Sequence, residues 1–188
     1  TTGNPEELNT ILERIQHGRF VISERSILEC IHPQGIAYAV NEVVIKGATR
    51  LVNMSLAIND HPIRKIRGDG FIVGTATGST GYLLAAGSPI VMPELRCMIL
   101  SGLNEYDFRA RHLVITHDSR VELEIMTNTR EKDIHLAADG QSRGPLVPGD
   151  KVLIRESERR AKLIFMEPDY FFQNLSSRLS WFQRTGGS

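Results

Sequence analysis

The feature that most constrains the fold is a long succession of short segments with strand character. In the clearest of them, residues 120–126, three aliphatic side chains alternate with two glutamates, as in a strand with one buried face. Similar segments recur about every ten residues, and few helical segments lie between them. This spacing favours a mainly β fold, a β-sandwich of many short strands with a few short helices, over a doubly wound α/β sheet.

The predicted strands cover residues 20–31, 35–47, 50–68, 71–75, 96–102, 111–117, 120–126, 132–140, 151–157 and 161–167. Apolar residues at helical spacing predict helices over residues 6–16 and 169–182, and a short helix within 77–87 that begins at Ser79 or Thr80. The charged run 156–160 is typical of a solvated turn. We expect an N-terminal helix or linker over residues 1–18, one β-sandwich domain over 19–183 and a disordered tail over 184–188.

Charge and cysteine usage exclude several classes of protein. The chain has 22 basic and 22 acidic residues among its 188, so no strong field attracts a polyanion, and we expect neither a nucleic-acid nor a membrane partner. Cys30 and Cys97 lack metal-ligand spacing, and no metal site is predicted. Without a signal peptide or a long apolar run, we expect a soluble, cytoplasmic protein.

The chemistry is concentrated in residues 68–82, GDGFIVGTATGSTGY, which are rich in glycine and hydroxyl side chains. Glycine lets backbone amides approach a ligand, and the hydroxyls can donate or accept hydrogen bonds. If a helix begins near Ser79, its free amides are expected to face a phosphate or ribose oxygen. The alternative is a glycine-rich connection between a strand and a helix that binds nothing. The standard phosphate-loop, dinucleotide and nucleophile-elbow motifs are absent.

This segment, preceded by AVNEVVI (39–45) and followed by AAGSPIV (85–91), resembles the carboxy-terminal domain of the NAD kinase family. Further similarity lies in ARHLVI (110–115), AADGQ (137–141) and the closing LSW (179–181), so the resemblance covers residues 8 to 182. It implies a β-sandwich that carries much of the NAD site of an enzyme that phosphorylates the adenosine-ribose 2′-hydroxyl of NAD to give NADP. ATP and Mg²⁺, or another divalent cation, are then expected in the complete enzyme.

The resemblance also implies a set of substrate-binding residues. Asn41 and Glu42 correspond to residues at the adenine and ribose end, and Asp69 to the acid that takes the nicotinamide-side ribose hydroxyls. The expected lining of the adenosine pocket comprises Thr77, Thr80, Gly81 and Tyr82, with the Tyr82 ring stacked on a base or, alternatively, packed within the helix. Asp139 is expected near the NAD pocket, although an Asp-Gly turn explains it equally well.

Departures from the family pattern shape the functional hypotheses. Ala76 and Gly81 stand where the family usually has proline and alanine, which loosens the loop. The family's Gly-Gly-Asp-Gly motif is absent, so we expect the catalytic aspartate to lie outside this chain. One hypothesis is therefore an incomplete NAD kinase that forms homodimers or homotetramers; another is a non-catalytic dinucleotide-binding or oligomerisation module. The third is a carbohydrate- or protein-binding sandwich unrelated to nucleotides.

Overall fold

A computed structural model describes the backbone of residues 7–179 and the side chains of residues 7–175. Its helices are α1 (Leu8–Gln16), α2 (Tyr82–Ala85) and α3 (Tyr170–Leu179). Its strands are β1 (Val21–His32), β2 (Gly35–Ala39), β3 (Glu42–Gly47), β4 (Val52–Ile58), β5 (His61–Gly68), β6 (Gly70–Thr75), β7 (Cys97–Leu103), β8 (Leu113–Thr116), β9 (Arg120–Ile125), β10 (Ile134–Ala138), β11 (Gln141–Leu146) and β12 (Lys151–Phe165). None of the described helices is long and apolar enough to cross a membrane.

The described strands form two six-stranded sheets. The first sheet has the order β2-β1-β12-β9-β4-β5, and the second has the order β11-β10-β3-β6-β7-β8. Among the described strands, the neighbouring pairs with a defined residue register are antiparallel. The predicted mainly β fold, with two sheets and few short helices, is confirmed.

The core lies between the two sheets. Strands of both sheets direct alternate aliphatic side chains inward, for example Leu123 and Ile154 from the first sheet and Ile45 and Val73 from the second, all at most 1% exposed. This alternation follows from the strand period of two residues. A second, smaller apolar cluster covers the outer face of the second sheet, where Leu83 of α2 packs with strand residues.

The chain divides into two compact units, one made of Thr1–Glu24 with Lys162–Ser188 and the other of Arg25–Ala161. In the first unit, Arg14 forms an ion pair with Glu167 at 2.8 Å, and the rings of Phe165 and Tyr170 stack with centroids 3.5 Å apart. The second unit contains the core described above and all the residues discussed below as candidate site residues.

Several predicted strand boundaries are wrong, because two long predicted strands each divide into two and one predicted turn lies within a strand. Residues 35–47 form two strands in different sheets, and residues 50–68 form a hairpin whose turn, Asn59–Asp60, has two positive φ angles. The segment 156–160 is not a turn, because β12 continues through it. Strand β11 was not predicted, because its sequence lacks a strand pattern. It forms by antiparallel backbone pairing with β10.

The predicted helices are placed close to their expected positions. α1 lies within residues 6–16, and α3 begins at Tyr170, one residue after the predicted start. The last three residues of the predicted C-terminal helix, 180–182, and the predicted tail, 184–188, lie outside the described residues.

Candidate functional site

The site is built on the connection at which the chain leaves the first sheet for the second. β2 ends at Ala39 and β3 begins at Glu42. The carboxylate of Asp139 holds this connection, since it accepts hydrogen bonds from the amides of Val40 at 2.7 Å, Asn41 at 2.8 Å and Glu42 at 3.1 Å. Three amides on one carboxylate fix the path of the backbone.

Asp139 itself lies in the hairpin turn between β10 and β11. It has φ 48° and Gly140 has φ 74°, the pair of positive angles expected for a two-residue Asp-Gly turn. The amide of Asp139 also donates to the carbonyl of Glu42 at 3.0 Å. Both interpretations of this residue therefore have support: it forms a turn, and it contacts the candidate site through the backbone of residues 40–42.

The glycine- and hydroxyl-rich segment packs against the same connection. The amide of Thr75 donates to the Asn41 carbonyl at 2.9 Å, and the Thr75 hydroxyl donates to the Val40 carbonyl at 2.6 Å. At Gly78, a Cβ atom would lie 2.1 Å from the Asn41 carbonyl oxygen, so a side chain cannot be accommodated without moving the backbone. Residues 75–78 and 40–41 are thus in direct backbone contact.

The four hydroxyls of this segment have different roles. Those of Thr75 and Ser79 are used within the protein; Ser79 Oγ accepts from the Val91 amide at 3.0 Å. Thr80 is exposed, with its hydroxyl 3.4 Å from the Thr77 carbonyl. The hydroxyl oxygen of Thr77 is buried and has no hydrogen-bond partner among the described residues. Thr77 is therefore the hydroxyl best placed to bond a ligand.

The helix predicted within 77–87 is interrupted, which removes the expected anion site at its N-terminus. Thr77–Thr80 form a 3₁₀ turn, Gly81 has ψ −131°, and α2 begins only at Tyr82. The amides of Ser79 and Gly81 donate to the carbonyls of Ala76 and Gly78 at 3.2 and 2.8 Å. These amides are consequently not free to bind a phosphate.

Glu42 is the main ionisable group of the site. Its side chain is 8% exposed, and its Oε2 has no hydrogen-bond partner among the described residues. A Cβ atom on Gly81 would lie 3.0 Å from that oxygen, so the glycine leaves room beside it. Burial raises the pKa of Glu42, the nearby charge of Asp139 raises it further, and the backbone amide of Tyr82 opposes this.

Two roles were considered for Tyr82: stacking on a base of the ligand and packing within the helix. Leu83 is fully buried in the apolar cluster on the outer face of the second sheet. Tyr82 is 38% exposed, which leaves part of its ring accessible. The packing role therefore belongs to Leu83, and the Tyr82 ring is free to contact a ligand.

Asp69 lies apart from the other predicted residues. It precedes β6, whereas Thr75 ends that strand, and β6 pairs with β3 so that Gly70 faces Lys46 and Gly74 faces Glu42. Six strand residues separate the two ends by roughly 20 Å. Asp69 accepts a hydrogen bond from Asn104 Nδ2 at 2.8 Å. The structure thus brings together seven of the eight predicted residues and places Asp69 at the opposite end of the strand.

The arrangement suits a ligand with hydroxyl groups and a planar ring. A buried carboxylate oxygen and a buried hydroxyl lack partners, and a hydroxyl-bearing ligand can supply the missing hydrogen bonds. An accessible tyrosine ring can stack on a base. Thr75 and the Val40 amide help to hold the connection between β2 and β3 in place. The sequence did not predict this role, because the contacts join residues that are far apart in the chain.

Comparisons with known proteins identify the family of this chain. A sequence model of the family described as ATP-NAD kinase C-terminal domain matches residues 40–166. An NAD kinase of Teredinibacter turnerae is 32% identical over 190 residues, which cover 97% of this chain and 64% of the relative. An NAD kinase of Syntrophotalea carbinolica is 34% identical over 185 residues, covering 95% and 64%. The chain thus spans less than two thirds of the length of these relatives.

Two solved structures are similar to the fold. The crystal structure of yeast NADH kinase complexed with NADH has a TM-score of 0.89 at 19% identity, and the match covers 97% of this chain and 55% of that one. An NAD kinase from Archaeoglobus fulgidus in complex with ATP has a TM-score of 0.76 at 25% identity, with 94% and 67% covered. Given the family match over most of its length, together with this fold, the chain belongs to the ATP-NAD kinase C-terminal domain family.

Proposed function

We propose that this chain is the NAD-binding domain of an NAD kinase, which phosphorylates the adenosine-ribose 2′-hydroxyl of NAD to give NADP. The observation that carries the proposal is a pair of buried oxygens, Glu42 Oε2 and Thr77 Oγ1, which have no hydrogen-bond partner within residues 7–175, in a chain of the ATP-NAD kinase C-terminal domain family. Buried polar atoms without partners are costly, and a bound ligand removes that cost. The family membership argues against a carbohydrate- or protein-binding sandwich unrelated to nucleotides.

Each residue of the site has a distinct role in the proposed binding. Ionised Glu42 accepts a hydrogen bond from a ribose hydroxyl, and Thr77 supplies a second hydrogen bond through its hydroxyl. Asn41 contributes its side-chain amide at the adenine end, where the Tyr82 ring stacks on the base. Asp139 maintains the positions of Asn41 and Glu42 through their backbone amides.

The proposed reaction joins the ribose 2′-oxygen to the γ-phosphorus of ATP, breaks the bond from that phosphorus to the β-γ bridging oxygen, and releases ADP and the proton of the hydroxyl. We assign this chain to binding and orienting NAD, and we expect the catalytic aspartate elsewhere in the complete enzyme. Within residues 7–175, no three His, Cys, Asp or Glu side chains are grouped so as to hold a metal ion. The residues described here therefore do not fit a Mg²⁺ site of their own, and no step is derived through the metal.

We further propose a homodimer or homotetramer in the cytoplasm. Asp69 lies at the opposite end of β6 from the other site residues, and the family resemblance implies that a neighbouring subunit completes the NAD pocket. In such an assembly, Asp69 of one subunit serves the pocket of another. Light scattering coupled to size exclusion tests the assembly, and a chain that remains monomeric in the presence of NAD contradicts it.

The binding proposal is tested by isothermal titration of the 188-residue chain with NAD. We expect Glu42→Gln to weaken NAD binding by about tenfold or more, as for a lost hydrogen bond to a charged group, and Asn41→Ala to weaken it by about two- to tenfold, as for a lost neutral hydrogen bond. The matched control is Glu122→Gln, which alters a surface glutamate of β9 that pairs with Lys151. Unchanged affinity in both site variants refutes the assigned site.

The pH dependence gives an independent check. Because the pKa of Glu42 is raised above 4.5, the carboxylate is lost at a higher pH than for an ordinary glutamate. NAD affinity should therefore fall as the pH is lowered through that raised pKa, and Glu42→Gln should remove this dependence. A wild-type profile that is flat through this acidic range contradicts the role of Glu42.

The second candidate function, a non-catalytic dinucleotide-binding or oligomerisation module, is distinguished by an assay of NADP formation. We expect the 188-residue chain with NAD, ATP and Mg²⁺ to bind NAD without turnover. NADP formation by the purified chain refutes the proposal that the catalytic base lies elsewhere. If a longer polypeptide that includes this chain also binds NAD without forming NADP, the non-catalytic module is the better description.

A further inference from the structure

Helix α2 carries Tyr82, yet it is a single turn of four residues, Tyr82–Ala85. A helix this short does not hold its own position in water, so it depends on contacts with the rest of the second unit. One such contact is Leu83, which is fully buried in the apolar cluster on the outer face of the second sheet. Because one apolar anchor does not fix the rotation of the helix, contacts at its ends decide where the Tyr82 ring points.

The end of α2 is tied to a histidine from a distant loop. Gly87 has φ 83° and follows the helix, and the amide of Ser88 donates to the Leu83 carbonyl at 3.0 Å. The Ser88 hydroxyl lies 3.3 Å from Nδ1 of His112, the residue before β8. Through Ser88, the position of the helix is therefore coupled to that of the imidazole.

The same imidazole nitrogen contacts the second sheet. Ser101 Oγ lies 2.9 Å from His112 Nδ1, and Ser101 belongs to β7, where it pairs with Ile72 of β6. Both serines are buried, Ser88 at 5% exposure and Ser101 at 1%. When Nδ1 carries no proton, it accepts from both hydroxyls in a shared hydrogen bond. The imidazole thus bridges the end of α2 to a strand of the second sheet.

We infer that His112 is a positioning residue for NAD binding, which through Ser88 holds α2 in the place where the Tyr82 ring stacks on the adenine base. This inference rests on the proposed NAD-binding function. His112 acts without touching the ligand, by raising the fraction of molecules in which α2 is correctly placed. The apparent affinity falls in proportion to that fraction, so a helix correctly placed about one fifth of the time binds about fivefold more weakly.

The first test is isothermal titration of the 188-residue chain and its variants with NAD. We expect His112→Leu to weaken NAD binding by about three- to tenfold. His112→Asn should bind within about twofold of the wild type, because its Oδ1 is attached at Cγ, as Nδ1 is, and accepts from the same hydroxyls. The matched control is His32→Leu, which removes a histidine whose Nδ1 lies 2.9 Å from Gln34 Oε1 at the β1–β2 turn. It should leave NAD affinity unchanged.

A double-mutant cycle separates positioning from a general loss of stability. In Tyr82→Ala the ring that His112 positions is gone, so adding His112→Leu should weaken NAD binding by less than about a further twofold. Three outcomes overturn the inference: wild-type affinity in His112→Leu, the same loss with and without the Tyr82 ring, or an affinity in His112→Asn as low as that in His112→Leu.

Hydrogen exchange followed by mass spectrometry, without NAD, tests the anchor itself. We expect residues 82–88 to exchange faster in His112→Leu than in the wild type, and residues 120–125 of β9 to exchange at the same rate in both. If His112→Leu does not fold, Ser88→Ala, which removes only the hydroxyl that contacts the imidazole, replaces it in all three measurements. A wild-type chain that does not bind NAD refutes the proposed function, whereas unchanged exchange over residues 82–88 in a chain that binds NAD refutes this inference.

Discussion

Replacing Asp139 tests the idea that one carboxylate organises the candidate site. In Asp139→Ala, three backbone amides of residues 40–42 lose their acceptor. A hydrogen bond contributes about 0.5–1.5 kcal/mol net, and because Asp139 is exposed, water replaces part of the interaction. We therefore expect a loss of about 2–3 kcal/mol, near the middle of the sum for three bonds. For a chain of this length that corresponds to a melting temperature lower by roughly 5–10 °C.

The same change should weaken NAD binding by about tenfold, because Asn41 and Glu42 are no longer held in position. Circular dichroism melts and NAD titrations measure the two effects. Asp139→Asn retains an acceptor oxygen and should recover about half of the stability loss. The matched control is Asp150→Ala, which removes one carboxylate–amide hydrogen bond, to Val147, in the turn before β12. It should cost some stability and leave NAD affinity unchanged.

This reasoning is refuted if Asp139→Ala melts within about 2 °C of the wild type. It is also refuted if Asp139→Ala and Asp150→Ala have the same effect on NAD affinity, since the loss is then a general consequence of destabilisation. A variant that loses stability but binds NAD normally would show that the connection at residues 40–42 keeps its position without the carboxylate.

Three further predictions concern single side chains. Gly78→Ala places a Cβ atom 2.1 Å from the Asn41 carbonyl oxygen, so it should lower the melting temperature and abolish NAD binding; normal behaviour in both assays contradicts the backbone contact. Ala76 has φ −56°, which proline adopts without strain, so Ala76→Pro should stabilise the chain by about 0.4–1 kcal/mol in denaturant unfolding; an unchanged or lower free energy of unfolding contradicts this. The pKa of Glu131 is lowered from 4.5 to about 2, so its stabilising contribution is present above pH 4.5 and is lost as the pH falls toward 2. Glu131→Gln should therefore flatten the decline in stability across that interval, and a decline identical to that of the wild type counts against the assignment.

Much of the sandwich was predictable because alternation is a local signal. Residues 120–125 alternate strictly between polar and apolar side chains, and they coincide with β9, in which Val121, Leu123 and Ile125 are buried. The hairpin turn at Asn59–Asp60 was hidden in a longer apolar segment, although both residue types tolerate positive φ and mark turns. The charged run at 156–160 remains in a strand because its charges find partners, as in the ion pairs of Glu156 with Arg96 and Arg160.

The sequence predicted which residues form the candidate site, but not how the site is constructed. The glycine- and hydroxyl-rich sequence indicated where a ligand is expected to bind, yet it could not show that residues 35–47 divide between two sheets at Val40. That division depends on Asp139, about a hundred positions away, whose carboxylate captures the amides of the connection. Long-range hydrogen bonds of this kind leave no periodic pattern in the sequence. The position of Asp69 likewise follows from the pairing of β6 with β3 rather than from its nearness to Gly70 in the chain.

The glycines of the segment show why packing and binding favour the same residues here. A Cβ atom on Gly78 would lie closest to the Asn41 carbonyl oxygen, and a Cβ atom on Gly70 would lie 2.2 Å from the Ile45 carbonyl oxygen, so the neighbouring backbone requires glycine at both positions. Because residues 75–78 approach the connection at residues 40–42 so closely, the segment that follows is brought beside Glu42 and covers it. Water is thereby excluded from Glu42 Oε2 and Thr77 Oγ1, and no residue in the described part of the chain replaces it as a hydrogen-bond partner. Close packing without side chains thus creates the unsatisfied polar atoms on which the proposed binding site depends.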